Sequence, residues 1–159
     1  MKIINLSLVI IMMMLTSCNL SEEEDVNCVT PPSQLLFKIV NEDIPSQNLI
    51  TEGLFIKDSI KLWYQIESKK IYVNISFVTI NSSENIIQTN APYFAINEEP
   101  TNFYLYLNKD DIDTLKLKLV QHFDVDCSYF SMDLIEFNGK VPDFEESDYT
   151  YLHKKKIED

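Results

Sequence analysis

From Thr114 to Cys127 the apolar residues fall on every second position. Leu115, Leu117, Leu119, Phe123, Val125 and Cys127 share one parity, and Thr114, Lys116, Lys118, His122, Asp124 and Asp126 share the other. Successive side chains of an extended strand point to opposite faces, so this period of two describes a strand with one face in a core and one in water. Gln121 is the single break in the apolar face and marks a place for a bulge or bend. The parity aims Cys127 inward. The same period runs through Leu35, Phe37 and Ile39, through Ile60, Leu62, Tyr64 and Ile66, through Ile71, Val73, Ile75 and Phe77, and through Phe103, Leu105 and Leu107. Ser128 to Phe137 is a further β-prone run, and Asn138-Gly139 behind it signals a two-residue hairpin turn, because both residues tolerate positive φ. No long segment carries a 3.6-residue apolar period, so helices should be short or absent.

Six or more strands separated by turn-rich stretches predict an all-β fold, an immunoglobulin-like antiparallel β-sandwich. Ahead of it, Lys2 and an uncharged apolar run from Ile3 to Leu15 read as a cleaved secretory signal, because a bilayer-spanning helix needs about 20 apolar residues. Leu15-Thr16-Ser17-Cys18 resembles the lipobox of bacterial lipoproteins, which implies a palmitate-type acyl anchor on Cys18. Ser21-Glu22-Glu23-Glu24-Asp25 reads as a flexible tether. It also resembles the acidic export signal that takes Bacteroidota lipoproteins to the outer face of the outer membrane. The expected organisation is a signal peptide at 1–17, an acidic tether at 18–30, a sandwich at 31–145 and a flexible tail at 146–159 that frays.

With Cys18 assigned to lipid, Cys28 and Cys127 remain, and in an exported domain two leftover cysteines are read as a disulfide. Bridging them would close a loop of about 100 residues. All 13 basic residues are Lys, against 25 acidic ones. This balance repels phosphate backbones, and without Arg there is no bidentate fork for phosphate or guanine, which argues against nucleic acid as a partner. Gly occurs only at positions 53 and 139. Phosphate-cradling loops, dinucleotide turns and nucleophile elbows need several glycines, so those enzyme classes are excluded and no cofactor is expected.

His122 and His153 are the only imidazoles. His153 falls in the expected tail, and the strand parity of His122 puts it on the solvent side, so no catalytic residue is assigned. His122, Asp124 and Asp126 share a strand face, and Asp110, Asp111 and Asp113 cluster in a turn. Outward polarity explains the first set, and side chains accepting backbone N–H bonds explain the second better than a calcium loop does, so no metal is assigned. Asp58-Ser59-Ile60 and Asp113-Thr114-Leu115 resemble the Bacteroidota O-glycosylation sequon, which makes Ser59 and Thr114 candidate modification sites. Trp63, Tyr72, Tyr104 and Tyr106 fall on the outward parity of their strands and form a candidate ligand-binding platform, since rings offer rigid area with a polar tip.

The run Leu107-Asn108-Lys109-Asp110-Asp111-Ile112-Asp113-Thr114-Leu115, the later Cys127 and the Asn138-Gly139 turn together resemble small outer-membrane lipoproteins of Bacteroidota with immunoglobulin-like domains. The resemblance implies a fold and an address and no reaction. The expected function is that of a non-catalytic, lipid-anchored surface module serving adhesion, envelope structure or ligand capture, with a surface protein or glycan as partner. The alternative is an accessory carbohydrate-binding lipoprotein.

Overall fold

The computed structural model describes residues 28–96, 101–124 and 127–157. The expected signal and acidic run, Cys18, Val125 and Asp126 lie outside them. Among the described residues the regular structure is nearly all β: β1 (Cys28–Thr30), β2 (Leu35–Asn41), β3 (Lys61–Ile66), β4 (Lys69–Val73), β5 (Ile75–Ile80), β6 (Ser83–Thr89), β7 (Thr101–Asn108), β8 (Asp111–Phe123), β9 (Cys127–Phe137), β10 (Asp143–Glu145) and β11 (Thr150–Lys155), with a 3-10 turn at Lys57–Ser59 and one α-helical turn α1 (Ala91–Phe94). They form two packed sheets, of order β1-β9-β8-β7-β3-β4 and β10-β11-β2-β6-β5. The sheets are mixed, which corrects the antiparallel expectation: β1 runs parallel to β9 and β11 parallel to β2. Period-two patterning places a strand's faces but does not determine the direction of its neighbour.

The alternating residues meet between the layers. Leu35, Phe37 and Ile39 of β2 face Phe103, Leu105 and Leu107 of β7 and Leu115 and Leu117 of β8, all of them fully buried. The run expected as one strand from Ile71 to Phe77 is two, because the chain leaves the first sheet at Val73 and joins the second at Ile75. The apolar alternation continues through this corner at Asn74, since both strands line the same core. The expected break at Gln121 also moves. The register shifts where Lys118 and Leu119 of β8 face Leu134 and Met132, leaving Asp133 of β9 as the extra residue. Gln121 stays in register and bonds Ser128 Oγ on the inner side.

Phe123 keeps its inner parity but is 80% exposed, lying beyond Leu119, the last residue of β8 in the core. The inward expectation for Cys127 is corrected as well. Cys127 alternates with the buried Ser128, on the side of the exposed Tyr129 and Ser131. There it is bonded to Cys28, with the Cα atoms 4.7 Å apart in the parallel β1–β9 pair. The segment expected as a tether through residue 30 therefore already contains a strand.

The largest correction concerns the C-terminus. Instead of fraying beyond Glu145, the chain inserts β11 between β10 and β2, with Thr150 and His153 buried. Polar chemistry accounts for this. Asp113 on the inner face of β8 is almost completely buried, and a buried carboxylate must be paired. His153 Nε2 lies 2.7 Å from its Oδ2, Lys155 Nζ donates to the same oxygen at 2.8 Å, and Asn138 Nδ2 donates to Oδ1 at 2.6 Å. Lys155 also pairs with Asp111, and the His153 ring stacks on Phe137 at 4.5 Å. Burial alone would raise the Asp113 carboxyl, but the hydrogen bonds from His153, Asn138 and Lys155 outweigh it and hold the group well below the usual carboxylate range. On the opposite face of β2, the segment leading into β11 covers Lys38, which pairs with Glu145 at 2.6 Å and Asp148 at 2.7 Å. Burial opposes the Lys38 charge, yet these two carboxylates raise its pKa.

Asn138 and Gly139 take positive φ of 50° and 73°, as the hairpin signal required, and Phe137 bridges Lys140 across the turn. Asn138 does more than turn the chain. Its Oδ1 accepts from the Thr114 backbone N–H at 2.8 Å, so one side chain ties the turn to β8 and to Asp113.

Two outcomes follow for stability. Cys28→Ser/Cys127→Ser should lower the unfolding free energy by up to about 4.7 kcal/mol, the chain-entropy value for a loop of this length, as measured by chemical denaturation. Asp113→Asn should cost about 3–5 kcal/mol at neutral pH by breaking a buried pair. Because the folded pKa of Asp113 lies below its ordinary 3.8, its stabilisation is complete above that value and is lost as pH falls through and below it. Thermal melts of the variant at pH 7 and at pH 2–4 should therefore show a shallower acid decline than those of the parent.

Candidate functional site

The outer face of the six-stranded sheet gathers the aromatic residues that the sequence placed on outward parity. Trp63 of β3 sits in register between Tyr72 of β4 and Tyr104 of β7. Its ring centroid lies 6.2 Å from Tyr72, 5.9 Å from Tyr104 in a stacked arrangement, and 6.5 Å from Tyr106. Lys70 of β4 completes the cluster with Nζ 4.3 Å from the Trp63 ring centroid, a cation–π distance. The sequence thus marked four rings that the fold does bring together.

Their exposures differ. Trp63 is 5% exposed and Tyr72 is 62% exposed, while Tyr104 and Tyr106 are half-buried. Trp63 is therefore the floor of the cluster and not its open surface. Its neighbours on adjacent strands cover it from outside the sandwich core, to which it does not belong. Beside it opens a groove of about 300 Å³, walled by Trp63, Tyr72 and Tyr106 and rimmed by Lys61, Lys70, Asp58 and Ser59. The polar rim was missed in the sequence. Lys61 shares outward parity with Trp63, and the register sets Lys61 against Tyr106 and Lys70 against Gln65, but cross-strand register is not visible in a single strand.

Ser59 lies in this rim, and its Oγ donates to the carbonyls of Ile56 at 2.7 Å and Leu107 at 3.2 Å. Its hydroxyl is half-buried and engaged, which leaves it less open to glycosylation than its sequon suggests. Thr114 is exposed, and its Oγ1 donates to Asn138 Oδ1 at 3.3 Å. The structure sets the two candidate modification sites in different surroundings.

The remaining candidates separate. His122 lies on the outer face of β8, stacked on Tyr129 at 5.0 Å, with Nε2 2.7 Å from Ser131 Oγ. This cross-strand pair brings an imidazole to a hydroxyl on an open strand face. His153, expected in a frayed tail, is instead locked to Asp113. The acidic trio does not act as a turn cluster. Asp113 is inside the sandwich and Asp111 pairs with Lys155, while the turn is stabilised by Asn108, whose Oδ1 accepts the Asp110 N–H at 2.9 Å. Among the described residues no group of three His, Cys, Asp or Glu side chains is arranged to hold a metal ion.

Comparison of the chain with known protein families, with curated proteins and with solved structures finds no match.

The burial of Trp63 decides what its removal should do. Trp63→Ala should cost roughly 3–5 kcal/mol and lower the melting midpoint, as truncation of a buried Trp does. Tyr72→Ala, which removes an exposed ring from the same cluster, should leave stability within about 0.5 kcal/mol of the parent in the same melts.

Proposed function

We propose that this protein is a non-catalytic, lipid-anchored module of the cell envelope. In this reading it is an immunoglobulin-like sandwich held by acylated Cys18 at the outer membrane, facing the exterior, where it captures a surface protein or glycan. The observation that carries the reading is the covalent closure of the domain's membrane-proximal end. Nine residues separate Cys18 from Cys28, a reach of at most about 35 Å. Cys28 is bonded straight into β9, beside the centre of the six-stranded sheet. A three-residue edge strand alone would peel away under tension from an anchor, whereas the disulfide passes that tension to an eleven-residue strand. The bridge joins two strands of one sheet, unlike the inter-sheet bridge of antibody domains, so the immunoglobulin likeness concerns the two-layer architecture.

A second reading, an accessory carbohydrate-binding lipoprotein, draws support from the groove beside Trp63, where rings and polar groups converge. His122, bonded to Ser131 and stacked on Tyr129, serves in either case as a cross-strand contact.

The anchor is tested by fractionation. Cys18→Ala should move the protein from membrane to soluble fractions, because acyl chains supply the membrane affinity. Unchanged membrane association of the variant would overturn the lipid anchor.

A further inference from the structure

The rim of the groove carries charge of the less common sign. The chain has 25 acidic residues and 13 lysines, and most lysines among the described residues meet a carboxylate, as Lys38, Lys116, Lys140, Lys154 and Lys155 do. Lys61 and Lys70, both exposed, have no carboxylate within ion-pair distance among the described residues, although both line the same groove. Lys70 is held over the Trp63 ring, a contact that positions its ammonium at the groove without neutralising it. In a molecule of formal net charge −12, two unpaired ammonium groups against one carboxylate, Asp58, at one concavity form a local exception to the surrounding field.

The groove's other walls specify what could sit between them. Tyr72 presents an exposed ring and Tyr106 a half-exposed one, flat apolar surfaces suited to the C–H face of a pyranose. Asp58 supplies an acceptor for sugar hydroxyls. Ser59, whose proton is committed to the Ile56 and Leu107 carbonyls, retains lone pairs to accept another. The geometry points to a carboxylate-bearing sugar, a uronic acid residue of a glycan, with its ring against Tyr72 and Tyr106 and its carboxylate between Lys61 and Lys70. A phosphate group, which carries up to about two negative charges against one for a carboxylate, fits less well beside Asp58 in the same rim. This inference rests on the carbohydrate-binding reading and is independent of the anchor.

Trp63 is the only Trp of the chain and lines the groove, so its fluorescence reports occupancy directly. The full chain, purified in detergent, is titrated with trigalacturonic acid, a hyaluronate tetrasaccharide, the methyl ester of the first, and a short poly-glutamate peptide. At least one acidic saccharide should give a saturable change that weakens as salt rises. The methyl ester should bind at least about fivefold more weakly, and Lys61→Gln or Lys70→Gln should each cost about the same factor, the worth of one exposed ion pair. Tyr72→Ala should weaken binding by up to about tenfold with an unchanged melting midpoint. Equal binding of acid and ester would overturn the charge assignment and leave the carbohydrate reading standing. Equal binding of poly-glutamate would overturn the saccharide. Absence of any saturable response would overturn both, with membrane fractionation of the Cys18 variant unaffected.

Discussion

Asp113 places a carboxylate between two sheets, where water cannot reach it, and the assembly of the second sheet answers that demand. An unpaired charge at such depth would cost several kcal/mol, more than most single contacts contribute. The donors that satisfy it come from different parts of the chain: Asn138 from the turn after β9, and His153 and Lys155 from β11. With these three converged, β11 lies beside β2, and Glu145 and Asp148 of the segment leading into it meet Lys38 on the outer side of β2. Two buried ionic groups, one on each face of the second sheet, thus depend on a single strand placement. Such groups add little net stability over an apolar core, but they penalise every alternative register that would leave one of them unpaired.

The disulfide constrains the opposite margin. β1 has three residues and contributes little on its own, and its parallel pairing with β9 brings Cys28 and Cys127 opposite each other. The bridge leaves the sandwich core to the apolar residues of β2, β7 and β8 and acts at the rim, where the chain enters the domain. Core packing and covalent closure therefore act at separate places.

On the outer face the aromatic residues do two jobs at once. Trp63 is buried by its neighbours and stiffens the β4–β3–β7 part of the sheet through ring contacts, while Tyr72 and Tyr106 keep surface available beside the lysines. A buried aromatic floor under an open polar rim is rigid without the groove having to close. That suits recognition of a flat, stiff ligand better than chemistry, which requires groups aimed at a reacting atom.

Much of the fold was legible in the order of residues alone. The period-two runs located β2, β3, β7 and β8, and β propensity located β9. The Asn138-Gly139 pair marked its turn, the two remaining cysteines indicated their bond, and outward parity selected the four rings that meet on the sheet face. These signals are local or pairwise, and a pleated strand obliges them whatever lies beside it. What the sequence could not express were relations between distant segments. Lys154-Lys155-Lys156 and His153 read as a solvated tail because acidic and basic residues follow one another there with no apolar period, and Asp113, the partner of His153 and Lys155, lies 40 residues before His153. The split at Asn74, the bulge at Asp133, the exposure of Phe123 and the burial of Trp63 likewise depend on where a facing sheet ends or which neighbour covers a side chain. Alternation determined which side chains point together. Only the tertiary structure decided which of those sides is dry, because burial is a property of what packs against a strand and not of the strand itself.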